Sequence, residues 1–173
     1  MPNRDIIDTI VTSCARELFA LHDTDLSPAE KVHEPHDYVT VIGFYGESMR
    51  GALGLGIDRR IVGRMLEQYG EETKLPVSAD DFVAETANQL LGRVKNRLLG
   101  FGVDFGIALP MVLRGIEVQL AKSPAEIWPY HFASASSEGA VTVWFDARIE
   151  AGVVLERDEG ADPIACEGEV TMF

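Results

Sequence analysis

The sequence predicts an α+β domain in which an antiparallel sheet is flanked by long helices. Two observations predict this class: extended runs arrive in adjacent pairs, and helical segments lie between the pairs instead of alternating with single strands. The chain has 173 residues, 46% of them hydrophobic, which is enough for one core but short for two. We therefore expect one domain over residues 1–150 and an acidic tail over residues 151–173.

The first predicted element is an amphipathic helix over residues 4–21. Residues 22–37 include Pro28 and Pro35 and follow neither the helical nor the strand period, which predicts a solvated connection. The helix is predicted from apolar side chains that recur at helical spacing: Ile6, Ile7, Ile10, Val11, Cys14, Leu18 and Phe19.

A β-hairpin is expected next, with strands over residues 38–46 and 48–57 that join at a polar Gly-Glu step. The β-branched and aromatic content of both runs favours extended structure. A second helix is then expected over residues 58–69.

The third predicted helix has a signal at each end. Ser78, with Asp81 three residues later, forms the capping-box pattern that starts a helix. Gly100 and Gly102 stop this helix after Leu99.

The rest of the chain predicts more strands. Residues 103–109 predict a strand, residues 110–124 predict no defined element, and a last hairpin is expected over residues 128–149. The acidic tail that follows is expected to be loosely attached. In the second arm of the hairpin, residues of a face expected to be buried alternate with residues of a face expected to meet solvent. The first set is Val141, Val143, Phe145, Ala147 and Ile149, and the second is Thr142, Trp144, Asp146 and Arg148.

The overall charge excludes two classes of partner. The formal net charge of -13 and the pI near 4.6 repel phosphate backbones and anionic membranes, so we expect neither nucleic acid nor a membrane as a partner. No apolar run is long enough to cross a bilayer, and charged residues interrupt the hydrophobes of residues 1–21, which predicts a cytoplasmic protein. Cys14 and Cys166 follow no disulfide or metal-binding pattern and are interpreted as ordinary thiols.

The third helix combines an apolar face with an unusual polar face. On a wheel of about 100° per residue, four residues fall together nearly opposite the apolar face: Asp81, Glu85, Asn88 and Gly92. A solvated helix face usually carries Lys, Arg and Glu, whereas Asn is a poor helix former and a mid-helix glycine loses about 1 kcal/mol relative to alanine. Close approach by a partner would explain both Asn88 and Gly92. The apolar face consists of Val83, Ala87, Leu90, Leu91, Val94 and Leu98.

These polar residues belong to a longer pattern, Asp81-x3-Glu85-x2-Asn88-x21-Pro110. The pattern closely resembles the signature of the CheC/CheX/FliY family of chemotaxis phosphatases, and the glycine-rich hairpin resembles that family's opening strands. The resemblance covers residues 4–149 and implies a CheC/CheX-like fold. Of the three asparagines, only Asn88 has a glutamate three residues before it, and a single active-site helix of this kind is typical of the CheX type.

The resemblance implies a phosphatase that removes the aspartyl phosphate from a CheY-like receiver domain of a response regulator, in chemotaxis or two-component signalling. It implies that Asn88 orients the attacking water and that Glu85 pairs with a lysine of the receiver. Asp81 and Gly92 would border the contact. No cofactor is expected on this chain, because the receiver holds the Mg²⁺ ion. The resemblance also implies a homodimer formed through the sheet.

Three residues of the pattern also have a simpler interpretation. Asp81 fits a capping acid, Glu85 alone fits a solvated helix charge, and Pro110 fits the end of a strand. For the function, two alternatives stay open. One is a receiver-binding or flagellar-switch module of the same fold that lacks turnover, and the other is a purely structural homodimer.

Two further clusters are interpreted as structural. His33, Glu34, His36 and Asp37 resemble a metal cluster but lack a third set of ligands at a defined spacing, which favours a polar surface. Five glycines lie between residues 43 and 56, yet no Gly-Lys-Ser/Thr follows them. They fit turns and closely approaching strands better than a phosphate-binding loop.

Overall fold

The computed structural model describes residues 2–32, 36–73, 77–118, 127–136 and 138–157. Within these ranges the chain forms three helices and seven strands. The helices are α1 (Pro2–Ala20), α2 (Arg59–Thr73) and α3 (Ala79–Leu99). The strands are β1 (Ser27–Ala29), β2 (His36–Tyr45), β3 (Met49–Ile57), β4 (Gly106–Ile107), β5 (Met111–Val118), β6 (Ile127–Ser134) and β7 (Gly139–Ile149).

The described strands form one antiparallel sheet. Its order is β1-β6-β7-β3-β2-β4, and β5 also pairs with β2 along the same edge as β4. The hairpins β2–β3 and β6–β7 are the adjacent pairs that the sequence predicts. The predicted class, α+β with helices beside an antiparallel sheet, is confirmed.

The core lies between the helices and one face of the sheet. The buried stripe predicted for α1 is confirmed, with only Ile6 half-buried. Buried residues of all three helices belong to a single apolar cluster. The strand residues in that cluster alternate along β3 and β7, as side chains on one face of a sheet do: Leu53, Leu55 and Ile57, with Val141, Val143, Phe145 and Ala147.

The opposite face of the sheet is more covered than the alternation on β7 predicts. Thr142 and Trp144 were expected to meet solvent, yet they are 0% and 6% exposed. His36 and Trp144 lie over Gly56, where an added Cβ would meet their rings at 2.4 and 2.8 Å. Gly56 therefore allows a close approach, as the structural interpretation of the glycines predicts. The strand pattern alone does not reveal that the His36 imidazole covers this face of the sheet.

Four segments differ from the sequence prediction. Residues 22–37 hold β1, which pairs with β6, and Leu26 is only 1% exposed. Residues 103–109 form a strand only at Gly106–Ile107, although Val103 and Phe105 are buried. The clearer strand is β5, which lies within residues 110–124. The helix expected over residues 58–69 extends to residue 73.

The start of the tail is held more closely than expected. The Asn3 side chain donates to the Val153 carbonyl and accepts from the Leu155 N–H, both at 2.9 Å. Leu155 is 3% exposed and joins the core. Residues 158–173, with Cys166, lie outside the described residues. The domain boundary after residue 150 stays a prediction.

Candidate functional site

Helix α3 begins and ends where the sequence predicts. The Asp81 N–H donates to the Ser78 Oγ at 3.1 Å, and the Ser78 hydroxyl donates to the Asp81 carboxylate at 2.6 Å. At the other end, the Gly100 N–H bonds to the carbonyls of the last turn, and Gly102 has a φ of 71°. Asp81 therefore belongs to the helix cap, as its simpler interpretation predicts.

The inner face of α3 fixes which residues face outward. All six predicted apolar residues are at most 1% exposed. Phe82 makes edge contacts with the rings of Tyr69 and His22, each at 5.8 Å between centroids. Arg97 donates to the Glu17 carboxylate at 2.7 Å and so ties α3 to α1. With this face buried, the opposite face has to point into solvent.

The structure brings the predicted site residues together on that outer face. Asp81, Glu85 and Asn88 are exposed, and Gly92 is half-buried. Their spacing of four, three and four residues aligns them along one strip of the helix. The predicted outward position of Glu85 and Asn88 is confirmed.

Glu85 and Asn88 differ in their local contacts. The Gln89 side-chain amide donates to Glu85 Oε1 at 3.1 Å, from one turn further along the helix. Gln89 is not among the residues that the sequence pattern marks, although its i, i+4 spacing from Glu85 is the available signal. Asn88 forms no side-chain hydrogen bond with any residue in the described part of the chain. Its amide therefore has both a donor and an acceptor free for an incoming molecule.

Gly92 leaves an open space on the strip. An added Cβ atom would meet no other heavy atom within 4 Å. The contacts of α3 with the rest of the described residues therefore do not require a glycine, although glycine weakens the helix by about 1 kcal/mol relative to alanine.

Two ion pairs flank the strip on the side of the sheet edge. Arg114 of β5 pairs with Asp80 at 3.4 Å, and Lys95 pairs with Asp104 at 3.1 Å. Asp80 and Lys95, next to the strip, are thus neutralised by partners in the same chain. Glu85 is left as the carboxylate at the middle of the strip.

The segment at residues 33–37, interpreted from the sequence as a polar surface, is only in part among the described residues. His36 is buried, with Nδ1 at 2.7 Å from the Asp58 carboxylate and Nε2 at 2.8 Å from the Thr142 hydroxyl. The interpretation of this residue as surface polarity is therefore wrong. His33 and Glu34 lie outside the described residues. In the ranges that the structure covers, no group of three His, Cys, Asp or Glu residues is arranged to hold a metal ion, and no helix is long and apolar enough to cross a membrane.

The fold and the strip define a two-layer α+β protein that presents an acid and an amide on one exposed helix face. A family model, "Chemotaxis phosphatase CheX", matches residues 38–132, which is more than half of the chain and includes Glu85, Asn88 and Pro110. The chain therefore belongs to the CheX family of chemotaxis phosphatases. No curated protein shows significant sequence similarity to it.

Solved structures share this fold at low sequence identity. The chemotaxis protein CheX from Vibrio vulnificus superposes with a TM-score of 0.70 at 20% identity, over 82% of this chain and 96% of that one. CheX from Desulfovibrio desulfuricans gives 0.68 at 16% identity, over 83% and 99%. A CheX–CheY–BeF3–Mg²⁺ complex from Borrelia burgdorferi gives 0.60 at 16% identity, over 82% and 95%. At these identities the likeness establishes the fold.

Proposed function

We propose that this protein dephosphorylates the aspartyl phosphate of a CheY-like receiver domain. The observation that carries the proposal is the exposed strip on α3, where Glu85 and Asn88 lie in the open in a chain of the CheX family. The complex of the Borrelia burgdorferi relative contains CheY, BeF3 and Mg²⁺. By analogy, the partner of this chain is a receiver that carries its own phosphoryl group and metal ion, in the cytoplasm where receivers act.

The proposed chemistry suits an amide and needs no nucleophile on this chain. Displacement at phosphorus is accelerated mainly by positioning of the nucleophile and by electrostatic complementarity. Asn88 enters the receiver's site and orients the attacking water, accepting from it through Oδ1 or donating to it through Nδ2. Glu85 pairs with the receiver's lysine and sets the register of docking. Asp81 and Gly92 border the contact.

The first prediction concerns Asn88. Asn88→Ala removes the group that orients the water. Turnover should therefore fall at least about 100-fold, because misplacement of a reactant lowers the rate by about this factor. The measurement is release of inorganic phosphate from purified receivers of the same genome, each phosphorylated with acetyl phosphate. Asn88→Ala should still bind the receiver, because docking depends on the rest of the strip.

Three other outcomes decide between the alternatives. Equal turnover by Asn88→Ala and wild type would contradict the proposed role of the amide. Receiver binding with an unchanged rate of phosphate loss would favour a binding or flagellar-switch module. Absence of binding to every receiver would favour a purely structural homodimer.

The second prediction concerns the charge of Glu85. Glu85→Lys should raise the KM for the phosphorylated receiver by at least about tenfold, since an attraction to the receiver's lysine becomes a repulsion. Glu67→Lys makes the same charge change at an exposed position of α2 and is the matched control. Equal KM values for the two variants would show that charge at position 85 does not guide docking.

A further inference from the structure

The outer strip of α3 continues beyond the residues that the family pattern marks. Asn96 is exposed and lies one turn after Gly92. At about 100° per residue, the outward-facing positions between residues 81 and 96 fall within an arc of about 80°. At about 1.5 Å per residue, the strip is about 22 Å long. Its members are Asp81, Glu85, Asn88, Gly92 and Asn96.

No contact among the described residues accounts for Asn96. Its side chain forms no hydrogen bond with any residue that the structure describes. The neighbouring cations are both engaged, Lys95 with Asp104 at 3.1 Å and Arg97 with Glu17 at 2.7 Å. Asn is also a poor helix former compared with Lys, Arg or Glu. An exposed asparagine at this position therefore weakens α3, and no contact with the described residues compensates for it.

The open space over Gly92 lies between two free amides. Asn88 is four residues before it and Asn96 is four residues after it, so each amide is one helical turn away. A side-chain amide has one carbonyl acceptor and an NH₂ donor, the same pair that a peptide group offers. A glycine next to such a group lets a partner's backbone come close, because no Cβ atom stands in its path.

We propose that Gly92 and Asn96 form a docking subsite for a main-chain segment of the receiver. The segment lies over Gly92, and the Asn96 amide exchanges hydrogen bonds with one of its peptide groups. This subsite holds the receiver while Asn88 acts on the phosphoryl group. The inference rests on the proposed function for the identity of the partner, and it adds a binding role for Asn96 that is separate from turnover.

The test compares matched substitutions on two helices. Gly63 of α2 is exposed, lies inside its helix, and would also meet no heavy atom within 4 Å of an added Cβ. Gly92→Leu and Gly63→Leu should both raise the melting temperature, because leucine is the better helix former. The Kd for a receiver loaded with beryllium fluoride and Mg²⁺ should rise at least about tenfold for Gly92→Leu only.

Asn96→Ala provides a second variant that is free of added bulk. It should raise the same Kd about fivefold through lost hydrogen bonds, and leave kcat at saturating receiver unchanged. A wild-type Kd for Asn96→Ala, or equal Kd values for the two leucine variants, overturns the subsite. If either of these results is obtained while Asn88→Ala still abolishes turnover, the subsite is refuted and the proposed function is retained. If the wild-type protein binds no receiver, both proposals fail.

Discussion

A partly buried hydrogen-bond chain joins four segments of the fold through Thr142. The Asp58 carboxylate only accepts, so His36 Nδ1 donates to it at 2.7 Å. In the neutral ring, Nε2 then accepts from the Thr142 hydroxyl at 2.8 Å. The Thr142 oxygen in turn accepts from His131 Nδ1 at 3.1 Å. The other Asp58 oxygen accepts from the Ala140 N–H at 2.8 Å. The chain links β2, the start of α2, β6 and β7.

Thr142→Val is expected to destabilise the protein. The change keeps the shape but leaves two imidazole nitrogens without this partner, which should lower the free energy of unfolding by about 1 to 3 kcal/mol. Thr40→Val is the matched control, since Thr40 is also buried on a strand but its hydroxyl has no hydrogen-bond partner in the described structure. Urea unfolding measures both variants. Thr40→Val should be neutral or stabilising, and equal losses in the two would contradict a role for the network.

At the scale of elements, the contact between the end of α1 and the start of α3 carries a pH dependence. Burial lowers the pKa of His22 from its ordinary value of 6.5, although Glu72 and then Asp23 act in the opposite direction. As the pH falls through that value, the unfolded chain takes up more protons than the folded chain. The stability contributed by the neutral imidazole, which packs its edge against Phe82, is therefore lost on acidification.

His22→Gln should flatten this response. Between about pH 7.5 and about pH 5.5, the free energy of unfolding should fall less steeply for the variant than for the wild-type protein. Urea unfolding at several pH values gives both slopes. Identical slopes would show that other groups account for the acid sensitivity.

The elements also show which parts of the fold could be predicted from the sequence. Helix α3 is predicted to within a residue, because a cap, an apolar stripe and two closing glycines agree. The same stripe places Glu85 and Asn88 outward, so the position of the candidate site is predictable. Its partner is not, since a wheel shows which way a side chain points and nothing about what approaches it.

The segments that the sequence misses lack such agreement. Strand β1 has only three residues and contains Pro28, so it presents no period. Strand β5 is apolar on both faces, because Met111 and Leu113 are exposed while Val112 packs against the core. Val103 and Phe105 are buried from a loop, which imitates a strand in the sequence. An alternation of apolar and polar residues with a period of two predicts a strand only where one face of the strand is polar.

At the scale of the whole molecule, the sheet face away from the helices carries an exposed apolar surface near β5. Met111 lies opposite Val41 on β2, and Leu113 lies opposite Val39. Tyr45 shares the parity of Val41 and so points to the same face. The exposed hydrophobic residues here are Tyr45, Leu109, Met111 and Leu113, at 68%, 90%, 63% and 37% exposure. Among the described strands, β5 pairs only with β2, so no described strand lies along its other edge.

This surface fits the homodimer that the family resemblance implies. Clustered exposed hydrophobes favour association, and an open strand edge offers unpaired backbone groups. We expect light scattering to give a mass of about twice 19.0 kDa. Met111→Glu should shift it toward the monomer, whereas Leu21→Glu, at an equally exposed apolar residue after α1, should not. A monomeric wild-type protein at high micromolar concentration would contradict the expectation.

The bonds from Asn3 to Val153 and Leu155 place the two ends of the described chain side by side. We expect that a short linker from residue 157 back to residue 2 could join these two segments of the described chain. New ends opened at the exposed Glu47, in the turn between β2 and β3, would leave the strip on α3 intact. The architecture is therefore suited to circular permutation. A reporter domain fused at the new ends would lie away from the contact between Asn3 and residues 153–155.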